Sequence, residues 1–163
     1  MATVPEQIFK AYDVRGLYGD DIDEDIAEQL GRAFVRVLSD LAGKRPSDLR
    51  LGLGRDMRLT APALSERYKR GMVAEGAHVL DAGQVGTEML YFLVGSRELD
   101  GGLMCTASHN PKAYTGAKLV KKGALALSGD SGIGELKDLV AGGEPGPPAR
   151  STVSRTAREA RTS

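Results

Sequence analysis

The chain has 163 residues, enough for one domain with its own core plus a tail and too few for two full domains. Lys plus Arg and Asp plus Glu are equal at 22 each, so no surplus of positive charge marks it for nucleic acid or an anionic membrane surface, and a small-molecule partner fits better. Cys105 is the one cysteine, which excludes an internal disulfide; no Cys and His spacing of a structural zinc site occurs, and a reducing cytoplasm is the expected setting.

Met1 to Phe9 contains Pro5 and Glu6 and lacks the basic start and apolar run of a secretory signal. No stretch approaches the roughly 20 apolar residues of a membrane span, so a soluble protein is expected. From Ile22 to Leu41 apolar residues recur every three or four positions (Ile22, Ile26, Leu30, Phe34, Val37, Leu38, Leu41), behind an acidic first turn of Asp23, Glu24 and Asp25; this predicts an amphipathic helix. Leu49 to Leu53, between Pro46 and Gly54, reads as a strand, with Arg55, Asp56 and Arg58 just past its carboxyl end.

Thr60 as N-cap and Pro62 in the first turn predict a second helix over Ala61 to Glu75, burying Leu64, Tyr68 and Val73 and ended by Gly76. His78 to Ala82 reads as a strand, Thr87 to Ser96 as a helix and Gly102 to Cys105 as a third strand. A last strand at Ala117 to Val120 and a short helix over Ile133 to Val140 complete the series. Strands alternating with helices predict an α/β fold, a three-layer domain with a mainly parallel sheet between helices and functional loops at the carboxyl ends of the strands. Composition changes at Gly142, with three glycines and three prolines before Arg150, so the domain is expected to occupy residues 1–141 and residues 142–163 to form a disordered tail or severed linker.

The segment Thr106, Ala107, Ser108, His109, Asn110, Pro111 places a nucleophile, a titratable ring and a helix breaker directly after an apolar strand. Pro111 lacks an N–H and biases Asn110 away from helix, so the segment presents its polar groups outward. A serine hydroxyl needs a neighbouring base or positive field before it can carry a covalent intermediate, and His109 and Lys118 are the nearby candidates. An isolated Ser-His pair more often caps its own loop than catalyses. His78 and Cys105 lack partners at metal-ligand spacing and read as structural residues. Asp56 could pair with Arg55 or Arg58 and hold a loop, which is the better reading of those two arginines.

The Ser108 segment is accompanied by Tyr12, Asp13, Val14, Arg15, Gly16 near the start, by Gly54, Arg55, Asp56 with Arg58 in the middle, and by Tyr114, Thr115, Gly116 with Lys118 after it. These strings, in this order, resemble the N-terminal domain of the α-D-phosphohexomutases of the phosphomannomutase/phosphoglucomutase kind, whose signature is a TASHNP-type serine loop preceded by YD(I/V)RG and GRD segments. The resemblance runs from Ile8 to Val140 and includes LYFL at Leu90 to Leu93. It implies that Ser108 carries a phosphoryl group, gives it to a hexose monophosphate (mannose or glucose) to form a bound 1,6-bisphosphate, and recovers the other phosphate after the sugar reorients.

The resemblance further implies that Arg15 steadies the phosphoserine, that Lys118 and His109 assist proton transfer, that Tyr12, Arg15 and Lys118 line the substrate site, and that hexose 1,6-bisphosphate is the activator. Magnesium is the implied metal, reached through the phosphate on Ser108, because the family's Asp-Gly-Asp-Gly-Asp-Arg metal loop does not occur among these residues. The sugar-recognition loop and phosphate-binding domain do not occur either, so the expected partners are a hexose phosphate and the missing domains of the same enzyme, and turnover by the chain alone is expected to be negligible. Where the family usually has Asn after the tyrosine, this chain has Thr115.

Rival readings are poorer. Met57 stands where a G-x-G-x-x-G dinucleotide loop requires its third glycine, and Ile133 where a G-x-S-x-G elbow requires its last. The alternative of a different class is a non-catalytic remnant or interaction module with the same fold.

Overall fold

The computed structural model describes residues 4–107, 113–129 and 132–140. Strand β1 (Asp13–Leu17) leads to helix α1 (Glu24–Ala42), then β2 (Arg50–Arg55), α2 (Ala61–Ala74), β3 (His78–Gln84), α3 (Thr87–Ser96), β4 (Gly101–Cys105), β5 (Tyr114–Lys121), the two-residue β6 (Leu125–Ala126) and α4 (Ile133–Val140). The strands form one sheet in the order β1-β5-β4-β2-β3, with β6 paired to β5. Residues 142–163 and their predicted boundary lie outside the described residues.

Among the described strands β5 alone runs against the direction shared by the others. β3, β2 and β4 run parallel, as alternation with α2 and α3 predicts. β5 runs antiparallel to both β4 and β1, and β6 antiparallel to β5. β1 to β4, joined in turn by α1, α2 and α3, point the same way, so the expectation of a mainly parallel sheet holds for them and β5 is the exception. β1, which the sequence analysis left as a motif, is an edge strand.

Alternate strand residues face two helical layers. Val14, Leu51, Leu53, Leu103, Cys105, Ala117 and Leu119 join the large core that includes residues of α1, α2 and α4. On the other face Val120 packs with Val94, Leu99 and Tyr91 around α3. This confirms the three layers. No helix among the described residues is long and apolar enough to cross a membrane.

Local chemistry sets the helix ends. Asp23 is extended and accepts the Ile26 amide at 2.9 Å, so α1 starts two residues later than its apolar periodicity does. Leu41, placed on the buried stripe by spacing, is 41% exposed at the last turn. Thr60 holds the N-cap position of α2 as predicted, but its backbone is already helical and its side chain makes no capping bond. Val73 is 53% exposed, because Met72, four residues after Tyr68, carries the buried face instead.

Helices α1 and α2 cross backbone to backbone. A Cβ built on Gly31 would overlap the Tyr68 carbonyl oxygen, and one on Gly71 the Glu28 carbonyl oxygen. Beside the crossing, Arg32 Nε and Arg36 Nε each lie 3.0 Å from the fully buried Glu75 carboxylate, and Arg67 donates to Glu28 and Asp25 at 2.8 Å. At the sheet's other end Asp100 accepts the Arg50 amide at 2.8 Å and the Lys44 ammonium at 2.7 Å, tying the starts of β2 and β4. Burial alone would raise the Asp100 carboxyl; Lys44, the Arg50 amide and Lys122 outweigh it and hold it below its ordinary value.

Two outcomes follow. Gly31→Ala should lower unfolding free energy by about 1–3 kcal/mol in urea melts, since the obstacle is backbone, whereas Gly95→Ala in α3, with open space around it, should be neutral or gain up to about 1 kcal/mol. Asp100→Asn should cost about 1–3 kcal/mol near neutrality. A carboxyl lowered by folding stabilises above its unfolded value, 3.8, and loses that contribution as pH falls through the folded one, so melts run from pH 7 down to 2 should show the two proteins converging.

Candidate functional site

The antiparallel pairing of β1 with β5 sets Asp13 opposite Lys118 and Arg15 opposite Gly116. Arg15 Nε donates to Asp13 Oδ1 at 3.2 Å, and Lys118 Nζ lies 3.8 Å from Asp13 Oδ2. The strands touch closely here, since a Cβ on Gly116 would overlap the Val14 carbonyl oxygen. Glycine is therefore the residue that lets β1 approach.

Thr115, in the place of the usual Asn, is buried in extended β5 opposite Gly16, and the only non-glycine residues with positive φ among the described ones are Glu98 and Ala124. A β-branched side chain suits this position. Lys118 reaches Asp13 with Thr115 in place.

The second group of residues caps the carboxyl ends of β2 and β4. The Asp56 amide donates to the Cys105 carbonyl at 3.1 Å, and its carboxylate accepts the Thr106 hydroxyl at 2.7 Å and the Arg58 amide at 3.0 Å. Arg58 Nε lies 3.3 Å from the same carboxylate, and its Nη1 donates to the Tyr114 carbonyl at 3.2 Å. The Thr106 amide donates to the Gly116 carbonyl at 3.0 Å. Asp56 and Arg58 thus tie Thr106 to Tyr114 across the chain between β4 and β5. Of the two possible partners, Asp56 takes Arg58, as the loop-holding reading expects. Arg55 Nε is buried without a hydrogen-bond partner among the described residues.

The predicted site residues fare unevenly. Arg15 and Lys118 come together through Asp13, whose position the sequence quoted without a role. Tyr12, 66% exposed, precedes β1. Ser108 and His109 lie outside the described residues. Cys105 is buried as expected, and burial, with the Asp56 charge adding to it, pushes its thiol up to about 12, far from a usable nucleophile. His78 Nε2 contacts the Ser47 carbonyl at 3.1 Å, a structural role. A cleft of about 420 Å³ opens along β1, lined by Lys10, Arg15, Leu17, Asp21 and Tyr114 among others. No three His, Cys, Asp or Glu side chains converge as a metal site among the described residues, so magnesium finds no ligand set there.

A mixed sheet between two helical layers, with basic side chains and a polar clamp gathered on β5 and at the ends of β2 and β4, defines an α/β/α domain. The profile described as phosphoglucomutase/phosphomannomutase, alpha/beta/alpha domain I, matches residues 6–142, and the chain belongs to that family. It is 40% identical over 131 residues to a phosphomannomutase of Vibrio cholerae, covering 80% of this chain and 28% of that protein. It is 43% identical to a shorter phosphomannomutase sequence of Klebsiella pneumoniae, covering 80% of this chain and 78% of that one. A solved phosphoglucomutase/phosphomannomutase family protein of Burkholderia thailandensis superposes with TM-score 0.77 at 32% identity, over 90% of this chain and 33% of its own.

If the clamp sets local stability, Asp56→Ala should cost about 1–3 kcal/mol and speed hydrogen exchange at the Thr106 amide, whereas Met57→Ala next to it, 81% exposed, should stay within about 0.5 kcal/mol.

Proposed function

We propose that this chain is the serine-bearing domain of a phosphohexose mutase that interconverts the 1-phosphate and 6-phosphate of mannose or glucose through phosphoserine at Ser108 and a bound 1,6-bisphosphate. The observation that carries the reading is the meeting of Arg15 and Lys118 on Asp13, where β1 pairs with β5, the strand next in sequence after the TASHNP segment. Phosphoryl transfer asks little covalent chemistry of a protein; it asks for positioning and for cations where negative charge spreads over the transferring oxygens.

In this reading a hydroxyl oxygen of the sugar phosphate forms a bond to the phosphorus while the bond to Ser108 Oγ breaks, and Oγ keeps the electron pair. The hydroxyl proton passes to a neighbouring base, the role given to His109 with Lys118. Arg15 and Lys118 stabilise the equatorial oxygens, and Tyr12 borders the sugar. The reverse transfer from the other end of the bisphosphate restores phosphoserine, and hexose 1,6-bisphosphate supplies the first phosphoryl group. No step is routed through magnesium, whose ligation here would rest on the phosphate of Ser108 alone.

The chain spans 28% of the Vibrio cholerae relative's length, which supports a role beside further domains of a longer enzyme and little turnover alone. A cytoplasmic setting accords with a sugar-phosphate substrate.

Phosphopeptide mapping of the purified chain, before and after incubation with glucose 1,6-bisphosphate and magnesium, tests the reading. Phosphate confined to Ser108 and lost in Ser108→Ala is the expected result. A chain that takes up no phosphate even when domains of a full-length relative are supplied would instead be a remnant or interaction module. Sustained conversion of mannose 1-phosphate to mannose 6-phosphate by the isolated chain would overturn the dependence on further domains.

A further inference from the structure

The Asp13 side chain touches both basic residues of the candidate site. Its carboxylate is 11% exposed, while Arg15 and Lys118 are 35% and 30% exposed, so the acid lies deeper than the cations that contact it. Strand alternation places Asp13, Arg15 and Lys118 on the face toward α3, opposite to the core residues Val14, Ala117 and Leu119. From α3, Tyr91 stands near enough for the Asp13 charge, after burial itself, to raise its hydroxyl.

We propose that Asp13 is a positioning residue whose carboxylate bridges Arg15 and Lys118 and aims both cations at a single phosphoryl group. The inference rests on the mutase reading for its substrate and goes beyond it in assigning a residue. The geometry gives three reasons. Nε is one edge of a rigid planar fork, so fixing it against Asp13 sets the direction in which the rest of the guanidinium points. Lys118 sits on a flexible stem and would turn away from a neighbouring guanidinium without a shared counter-charge. Stability alone is a weak reason to keep the carboxylate there, because an ion pair with partly exposed cations returns little while a mostly buried acid carries a desolvation cost.

The test titrates inorganic phosphate into the full ¹⁵N-labelled chain and follows the Arg15 Nε–H signal, with Asp13→Asn and Asp13→Glu as variants. In the unaltered chain the signal should move with phosphate. Asp13→Asn, similar in shape and without the charge, should weaken the apparent phosphate affinity about tenfold or more while melting within a few degrees. Asp13→Glu, which restores the charge one methylene further out, should recover part of the loss. An Arg15 signal indifferent to phosphate in the unaltered chain would overturn the proposal, as would an Asp13→Asn chain that binds phosphate normally. Should Asp13→Asn fail to fold, an Asp13→Glu chain with unaltered affinity would overturn it equally. Parallel mapping of Ser108 separates the two readings: a phosphate-responsive Arg15 that depends on Asp13, in a chain whose Ser108 takes no phosphate from glucose 1,6-bisphosphate, retains the role of Asp13 and removes the mutase.

Discussion

The close contact of β1 with β5 at Gly116 is the constraint from which the candidate site follows. Arg15 and Lys118 are separated by about a hundred residues of chain, and they meet because an antiparallel ladder fixes Asp13 against Lys118 and Arg15 against Gly116. The missing side chain at Gly116 lets the Val14 carbonyl press against it, and the Gly116 carbonyl accepts the Thr106 amide. One residue without a side chain thereby joins the first motif segment, the stem of the serine segment and the strand that bears the lysine.

The remainder of the domain supports that junction by holding its strands at fixed heights. α1 and α2 meet through their backbones, with the Glu75 carboxylate buried between two arginines beside the contact. Such a group is costly to bury alone and tolerable only when paired, so it favours one arrangement of the helices over alternatives that would strand the charge. Helix α2 starts immediately beyond the Arg58 loop, the Ala61 amide donating to the Arg58 carbonyl at 3.0 Å, so the polar clamp at the ends of β2 and β4 rests on a rigid helical pair.

Much of this was legible in the sequence, and the failures share a cause. Apolar periodicity located α1, α2, α3, α4 and the three parallel strands, because those patterns are local and repeat. β5 alone departs from the mainly parallel sheet, since direction depends on what joins two strands and not on the strands themselves, and the two-residue β6 is too short to show a pattern. β1 was missed as a strand because Val14 and Leu17 are its only large apolar residues and Gly16 breaks the short pattern between them. Val73 went wrong by a fraction of a turn, which spacing cannot resolve, and Thr60 sits where predicted without making the capping bond. Motif strings singled out Arg15 and Lys118 one by one, and only the register of two strands shows that Asp13 touches both. Ser108 and His109 lie outside the described residues, and the roles given to them rest on resemblance.

The loop that follows β2 shows a further property of the architecture. Asp56 and Arg58 face inward to the clamp, while Met57 and Leu59, 81% and 99% exposed, face solvent. Adjacent positions therefore carry opposite evolutionary freedom: the two charged residues are bound by geometry, and the two apolar ones can drift, lengthen or become charged without disturbing it. Such a loop can take a new outer surface one residue at a time while the Asp56–Arg58 clamp beneath it is kept.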